Sequence, residues 1–364
     1  MTTKATGGMA VPAALPGAAG EGATVEGVPV PKFDWMGLTA EWGTRVRPGE
    51  HGLRLGDLNV GIYGEVPEVW EDQTRRPRGA LPRPGVPPLP YNLRSKHQMW
   101  ADSAANLYEE AIQRRWIPAT DVPWNTLEPL PEDVERAMCQ VCTELSQYAN
   151  TEIEIIAFWQ DQMSYGYYEV KQFLATATFD CTRLIDALRK RALANGGGLG
   201  VEGRGLVNRM ILESRGGWTE SVVYQYLMRG TFTMHVLNAL LVAAHNEAER
   251  VIFSKAIEDH ARHMTYGYDH LRYAVVHNDG QANVMQTLLT LGEIMLSAEL
   301  EESAMRPALA IIFGGGIAGG RTVGMEAYLH LVGEFVRSYV AACDWIGVPR
   351  DESLHPALKK YLEY

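Results

Sequence analysis

His260 and His263 stand three residues apart in the stretch VIFSKAIEDHARHMTYGYDHLRYAV, residues 251–275. The apolar residues Ile252, Ala256, Ile257, Ala261 and Met264 recur there at helical spacing, so the stretch is predicted to be a helix. Residues three apart project from one helical face, which lets two imidazoles hold a metal from the interior of a bundle. The competing reading is a pair of core histidines satisfied by neighbouring carboxylates. A second copy of the frame lies 79 positions earlier: Asp180-Cys181-Thr182-Arg183-Leu184 repeats the Asp-x-x-Arg of Asp259-His260-Ala261-Arg262-His263. Two such frames, each late in a long helix, imply two helix pairs related by pseudo-two-fold symmetry.

The elements that must position these residues are long helices. Pro131 with Glu132 and Asp133 reads as a helix start, because acidic side chains favour the first turn. That helix is predicted over 131–163 and a second over 168–194, stopped by the glycines of NGGGLG. Further helices are expected at 95–116, 219–245, 248–277, 281–312 and 322–345, with a short one closing the chain. Residues 96–364 thus form one all-α domain. Residues 1–95 are rich in Gly, Pro and Ala, most densely in RRPRGALPRPGVPPLP, and read as an extended irregular arm. Phe33, Trp35, Trp42, Tyr63 and Trp70 are its aromatic anchors, suited to lying along a partner or across its own domain. Cys139 and Cys142 form a CxxC inside a helix with no second pair, which fits core residues better than a zinc knuckle. The Gly-rich 314–320 segment lacks a Lys-Ser/Thr ending and follows a helix, so it reads as a helix–helix connection.

Composition narrows the functional classes. The 364 residues are 46% hydrophobic and 21% charged, a globular profile with enough chain for a sizeable core. A net charge of −11 argues against nucleic acid and anionic membrane as partners, since both require a basic footprint. Four cysteines are too few for a disulfide scaffold and suit a reducing compartment. The N-terminus lacks the continuous apolar core of a secretory signal, and the Pro307–Gly320 run is too short to span a bilayer. A cytoplasmic location is expected.

The paired frames, with EVKQFLATATFD (169–180) and LYEEAIQRRWIPATDVPW (107–124), resemble the ferritin-like di-iron carboxylate superfamily. Its members include ribonucleotide reductase small subunits and bacterial multicomponent monooxygenases. The resemblance covers roughly residues 95–280 and implies a ferritin-like four-helix bundle with additional C-terminal helices. The family's site takes one carboxylate from each of two helices and a Glu-x-x-His from each of the other two. Carried onto this sequence, the six ligand positions become Glu152, Cys181, Leu184, Arg229, His260 and His263, of which only Glu152 and His263 keep the family residue; Glu154 is the runner-up for Glu152. Asp180 and Asp259 match the aspartate that holds a ligand histidine from outside. With Leu184 in place of one histidine, Asp180 is expected to turn to an arginine. A buried ion pair between Glu152 and Arg229 is expected where metals would otherwise sit.

Two functions follow from the resemblance. The favoured one is a metal-free, ligand-degenerate subunit of a di-iron oxygenase system, without cofactor. It would support a homologous metal-bearing ferritin-like subunit or pair with a second copy of itself. The alternative is a divergent oxidoreductase with a mononuclear site, iron or another divalent transition metal, at Glu152, His260 and His263, with Cys181 as a soft neighbour. Ligand binding in a metal-free residual cavity is a third option, lined by Tyr224, Tyr226, Met228, Met234 and His235.

Overall fold

The computed structural model describes residues 24–31, 34–37, 42–82 and 84–364. The architecture is all-α, as the periodicity predicts; among the described residues the only sheet is the two-stranded hairpin Thr24–Val25/Val28–Pro29. Helix α1 (Ala104–Gln113) precedes two long antiparallel helices, α2 (Glu132–Gln162) and α3 (Tyr168–Arg191). After α4 (Leu206–Glu213), the third rod is composite: α5 (Trp218–Val222), a π-helical segment (Val223–Gly230) and α6 (Thr231–Val242). Helix α7 (Glu247–His277) is the fourth rod. The C-terminal layer comprises α8 (Gln281–Glu302), α9 (Met305–Gly314), α10 (Ile317–Gly320), α11 (Val323–Trp345) and α12 (Pro356–Lys359).

Local chemistry sets the ends of the rods. Asn246 caps α7 by accepting the Glu249 N–H at 2.9 Å, and Glu249 in turn accepts the His245 N–H at 2.8 Å. The same carboxylate pairs with Arg191 at the end of α3, which also holds Glu135 at the start of α2. One buried arginine therefore ties three helix ends together. The predicted 281–312 helix is broken at Ser303, whose backbone is extended (ψ 144°). Its hydroxyl accepts the Met305 N–H and donates to Glu144, so a side chain replaces helical hydrogen bonds at the break. The glycines at 314–316 turn the chain between α9 and α10, with Gly315 at φ 67°.

The third rod passes very close to its neighbours. A side-chain carbon at Gly267 of α7 would collide with Tyr226, and one at Gly292 of α8 with Met228. The π-helical segment is buried along its whole length between those two glycines. Cys139 and Cys142 are core residues of α2.

The irregular arm lies across its own bundle from Leu55 onward. Arg78 is buried against Glu169 of α3 and also donates to the carbonyls of Gly166 and Tyr63. Trp70 joins the core at 6% exposure, and the Asn92 and Leu93 amides donate to the Gln162 carbonyl. Trp35 and Trp42 are exposed, at 59% and 90%; Phe33 lies outside the described residues. No helix among the described residues is long and apolar enough to cross a membrane.

Candidate functional site

A small cavity of about 30 Å³ lies at the centre of the bundle, lined from α2, α3, the π-helical segment, α6 and α7. Its walls include Glu152, Cys181, Leu184, Arg229, His260 and His263, together with Asp180 and Asp259. The eight positions singled out in the sequence thus converge on one interior space. Of these eight, seven are buried and Leu184 is half-buried.

The contacts differ from expectation at Arg229. Glu152 and Arg229 line the same cavity, but each is engaged elsewhere. Glu152 Oε1 lies 2.9 Å from His263 Nδ1, and Oε2 accepts from Gln225 Nε2 at 3.1 Å. Arg229 Nη2 pairs with Glu299 Oε1 of α8 at 2.6 Å and donates to Asn208 Oδ1 at 3.1 Å. Its guanidinium stacks 3.8 Å from the Tyr148 ring centroid. The expected Glu152–Arg229 pair is replaced because Glu299 of α8 takes Arg229 and His263 of α7 takes Glu152.

The two Asp-x-x-Arg frames meet face to face. Asp180 pairs with Arg183 and Asp259 with Arg262 within each helix. Arg183 also reaches Asp259 at 3.1 Å, and Arg262 reaches Asp180 at 3.3 Å. Trp116 Nε1 donates to Asp259 at 2.9 Å, fixing the segment after α1 to the quartet. Asp180 thus has its arginines and also faces His263 Nε2 at 3.4 Å. Two acids and two bases close a neutral ring that requires no ion from outside.

The ionisation of the remaining groups follows from burial and neighbours. Burial opposes charge on His263, but the Glu152 carboxylate and hydrogen bonding to Asp180 hold its pKa well above the usual imidazole range. Burial would raise Glu152, yet the His263 charge brings it below its ordinary value. Burial pushes the Cys181 thiol up to about 12, which makes it a protonated, unreactive group in this setting. Burial lowers His260, and its Nε2 faces the Gly230 carbonyl at 2.9 Å, as expected of a neutral imidazole donating there. Burial and the neighbouring Asp180 raise Asp259 despite its arginines.

This donor set does not fit a dinuclear carboxylate cluster. Two divalent ions need several free carboxylates, whereas Asp180 and Asp259 are held by arginines and Arg229 places a cation at the wall. Glu152, His260 and His263, the expected mononuclear set, all line the cavity, while the donors gathered within 4.8 Å of one another are Glu152, Cys181 and His263. His260 is turned to the Gly230 carbonyl of the π-helical segment instead. Nor do Tyr224, Tyr226, Met228, Met234 and His235 line the cavity; Gln225, Arg229 and Thr233 do. Sequence reasoning missed Gln225, although it stands four positions before Arg229. It also missed Glu299, for which distance along the chain left no signal.

In comparisons with protein families and with curated proteins, the sequence matches none of them.

Proposed function

We propose that this chain is a catalytically silent, ligand-degenerate bundle that supports a homologous metal-bearing ferritin-like subunit in an oxygenase-type assembly, and that it holds no dinuclear iron centre itself. The observation that carries the reading is Arg229. A buried cation at 1% exposure occupies the wall of the cavity where the family resemblance calls for a metal-binding carboxylate, and it is neutralised by Glu299. The closed Asp180–Arg183–Asp259–Arg262 ring supports it further, because the acids that remain are already paired. The exposed Trp42, the irregular arm and the net charge of −11 suit assembly with another protein more than contact with nucleic acid. A cytoplasmic location belongs to the same proposal.

The test is expression in iron-replete cells, followed by elemental analysis and an oxygenase assay with an external reductant. The expected result is far less than one iron per chain and no oxygen-dependent turnover by the chain alone. Two iron atoms per chain, or turnover without a partner, refute the reading. The oxidoreductase alternative is served less well, since His260, one of its three ligands, stands outside the gathered donors.

A further inference from the structure

Glu152 Oε1 and His263 Nδ1 lie 2.9 Å apart, yet neither atom has a hydrogen-bond partner. At that separation an imidazole N–H aimed at a carboxylate makes a strong bond. Here the two atoms are close but not aligned on each other. Both are deeply buried, with side-chain exposures of 3%. A polar atom so buried is usually satisfied, and here two unsatisfied ones lie side by side. Two donor atoms about 3 Å apart, edge to edge, have the spacing of neighbouring ligands around one small cation whose bonds are about 2 Å. The Cys181 sulfur completes a three-membered group, all within 4.8 Å of one another.

We propose that Glu152, Cys181 and His263 form a site for a single thiophilic divalent ion of the zinc class, with the fourth position facing the cavity. The ring nitrogen of His263 not used by the ion, Nε2, faces Asp180 Oδ2 at 3.4 Å, the carboxylate backing that orients a ligand imidazole. Asp180 is itself held by Arg183 and Arg262, so the orienting group is rigid. A cavity of about 30 Å³ has room for the ion's water ligand. The mixed sulfur, nitrogen and oxygen donors select zinc over hard cations such as magnesium or calcium. A second divalent ion would sit beside Arg229, outside the one cluster of three donors. The site is therefore mononuclear, and the inference does not depend on the partner-supporting reading.

The test uses the full chain, stripped with chelator and titrated with Co²⁺ as a spectroscopic substitute for Zn²⁺. The expected result is one equivalent of cobalt, with a thiolate charge-transfer band in the near ultraviolet and tetrahedral ligand-field bands in the visible. Cys181→Ser should abolish the charge-transfer band. It should weaken competition-measured Zn²⁺ affinity about 100-fold or more, at least the upper end seen for loss of an orienting partner. His260→Gln should leave the bands intact, because His260 is no ligand. Helical circular dichroism keeps the variants comparable. No cobalt spectrum in the folded wild-type chain, a charge-transfer band that survives Cys181→Ser, or two equivalents of metal would each overturn the proposal. Failure to bind cobalt leaves the silent-subunit reading standing, whereas two iron atoms per chain removes both.

Discussion

Replacing Arg262 by Met tests whether the central ring of charges acts as a unit. The substitution preserves length and apolar stem but leaves Asp180 and Asp259 with Arg183 as their one arginine, beside a His263 already shared with Glu152. All four side chains are at most 7% exposed, so solvent cannot screen the surplus negative charge. Breaking a buried pair by removing one partner costs about 3–5 kcal/mol, a large share of the roughly 5–15 kcal/mol that stabilises a folded domain. Adding Asp259→Asn restores neutrality, and the asparagine oxygen still accepts from Trp116 Nε1. The double variant is therefore expected to be more stable than the sum of the two single losses predicts, by about 2 kcal/mol, within the range seen for residues in one network. Guanidinium unfolding followed by far-ultraviolet circular dichroism gives the midpoints, with an unchanged slope confirming that stability alone has moved. A cost below about 1 kcal/mol for Arg262→Met, the level of a surface pair, refutes the argument. Strict additivity in the double variant refutes it equally.

Acid should destabilise the protein in two stages. Burial depresses His270 to about 4 from 6.5, so the unfolded imidazole takes up a proton that the folded one refuses, and stability falls as pH drops from 6.5 towards 4. Although burial opposes it, Glu249 is held at about 2 by His245 and Arg191, so its contribution is present above pH 4.5 and lost on descent towards pH 2. Each shift is worth about 3 kcal/mol at most, and melting temperature against pH should lose its upper limb in His270→Gln. Arg78→Ala should leave Glu169 buried without its partner and free the arm, read as faster proteolysis before residue 95 with the helices intact. Gly267→Ala should cost about 1–3 kcal/mol in chemical unfolding, since the added methyl meets the base of the Tyr226 side chain and not a flexible tip. Leu184→Ala should speed cobalt loading in stopped-flow absorbance, because Leu184 is the one cavity-wall residue only half-buried.

The rods were legible because their apolar periodicity is long and their ends carry strong signals, such as Pro131 before Glu132 and the glycines after Ala194. The repeated Asp-x-x-Arg was legible as a spacing, and both copies do line one interior. Their mutual pairing was not, because which arginine meets which aspartate depends on the axial offset of α3 and α7. The same limit applies to Cys181. Its chemistry is visible in the sequence, but its approach to Glu152 and His263 is set by three helices at once. The break at Ser303 was hidden because one side chain, bonded to Glu144 from another helix, overrides good helical periodicity. The π-helical segment was hidden too. A widened turn shifts which residues face inward, which is why Gln225 and Thr233, not Tyr224 and Met228, reach the cavity.

The interior has a physical logic when its charges are considered together. A buried charge left without a counter-ion is costly. The interior avoids this by pairing every strong charge with another side chain: Arg229 with Glu299, Glu152 with His263, and the two aspartates with the two arginines. Such an interior balances its own charges among side chains. Within it, Glu152 and His263 lie at contact distance without a hydrogen bond between them. That local defect lies beside the one interior thiol of the cavity, and it is the place where the bundle retains the capacity to take up a single ion.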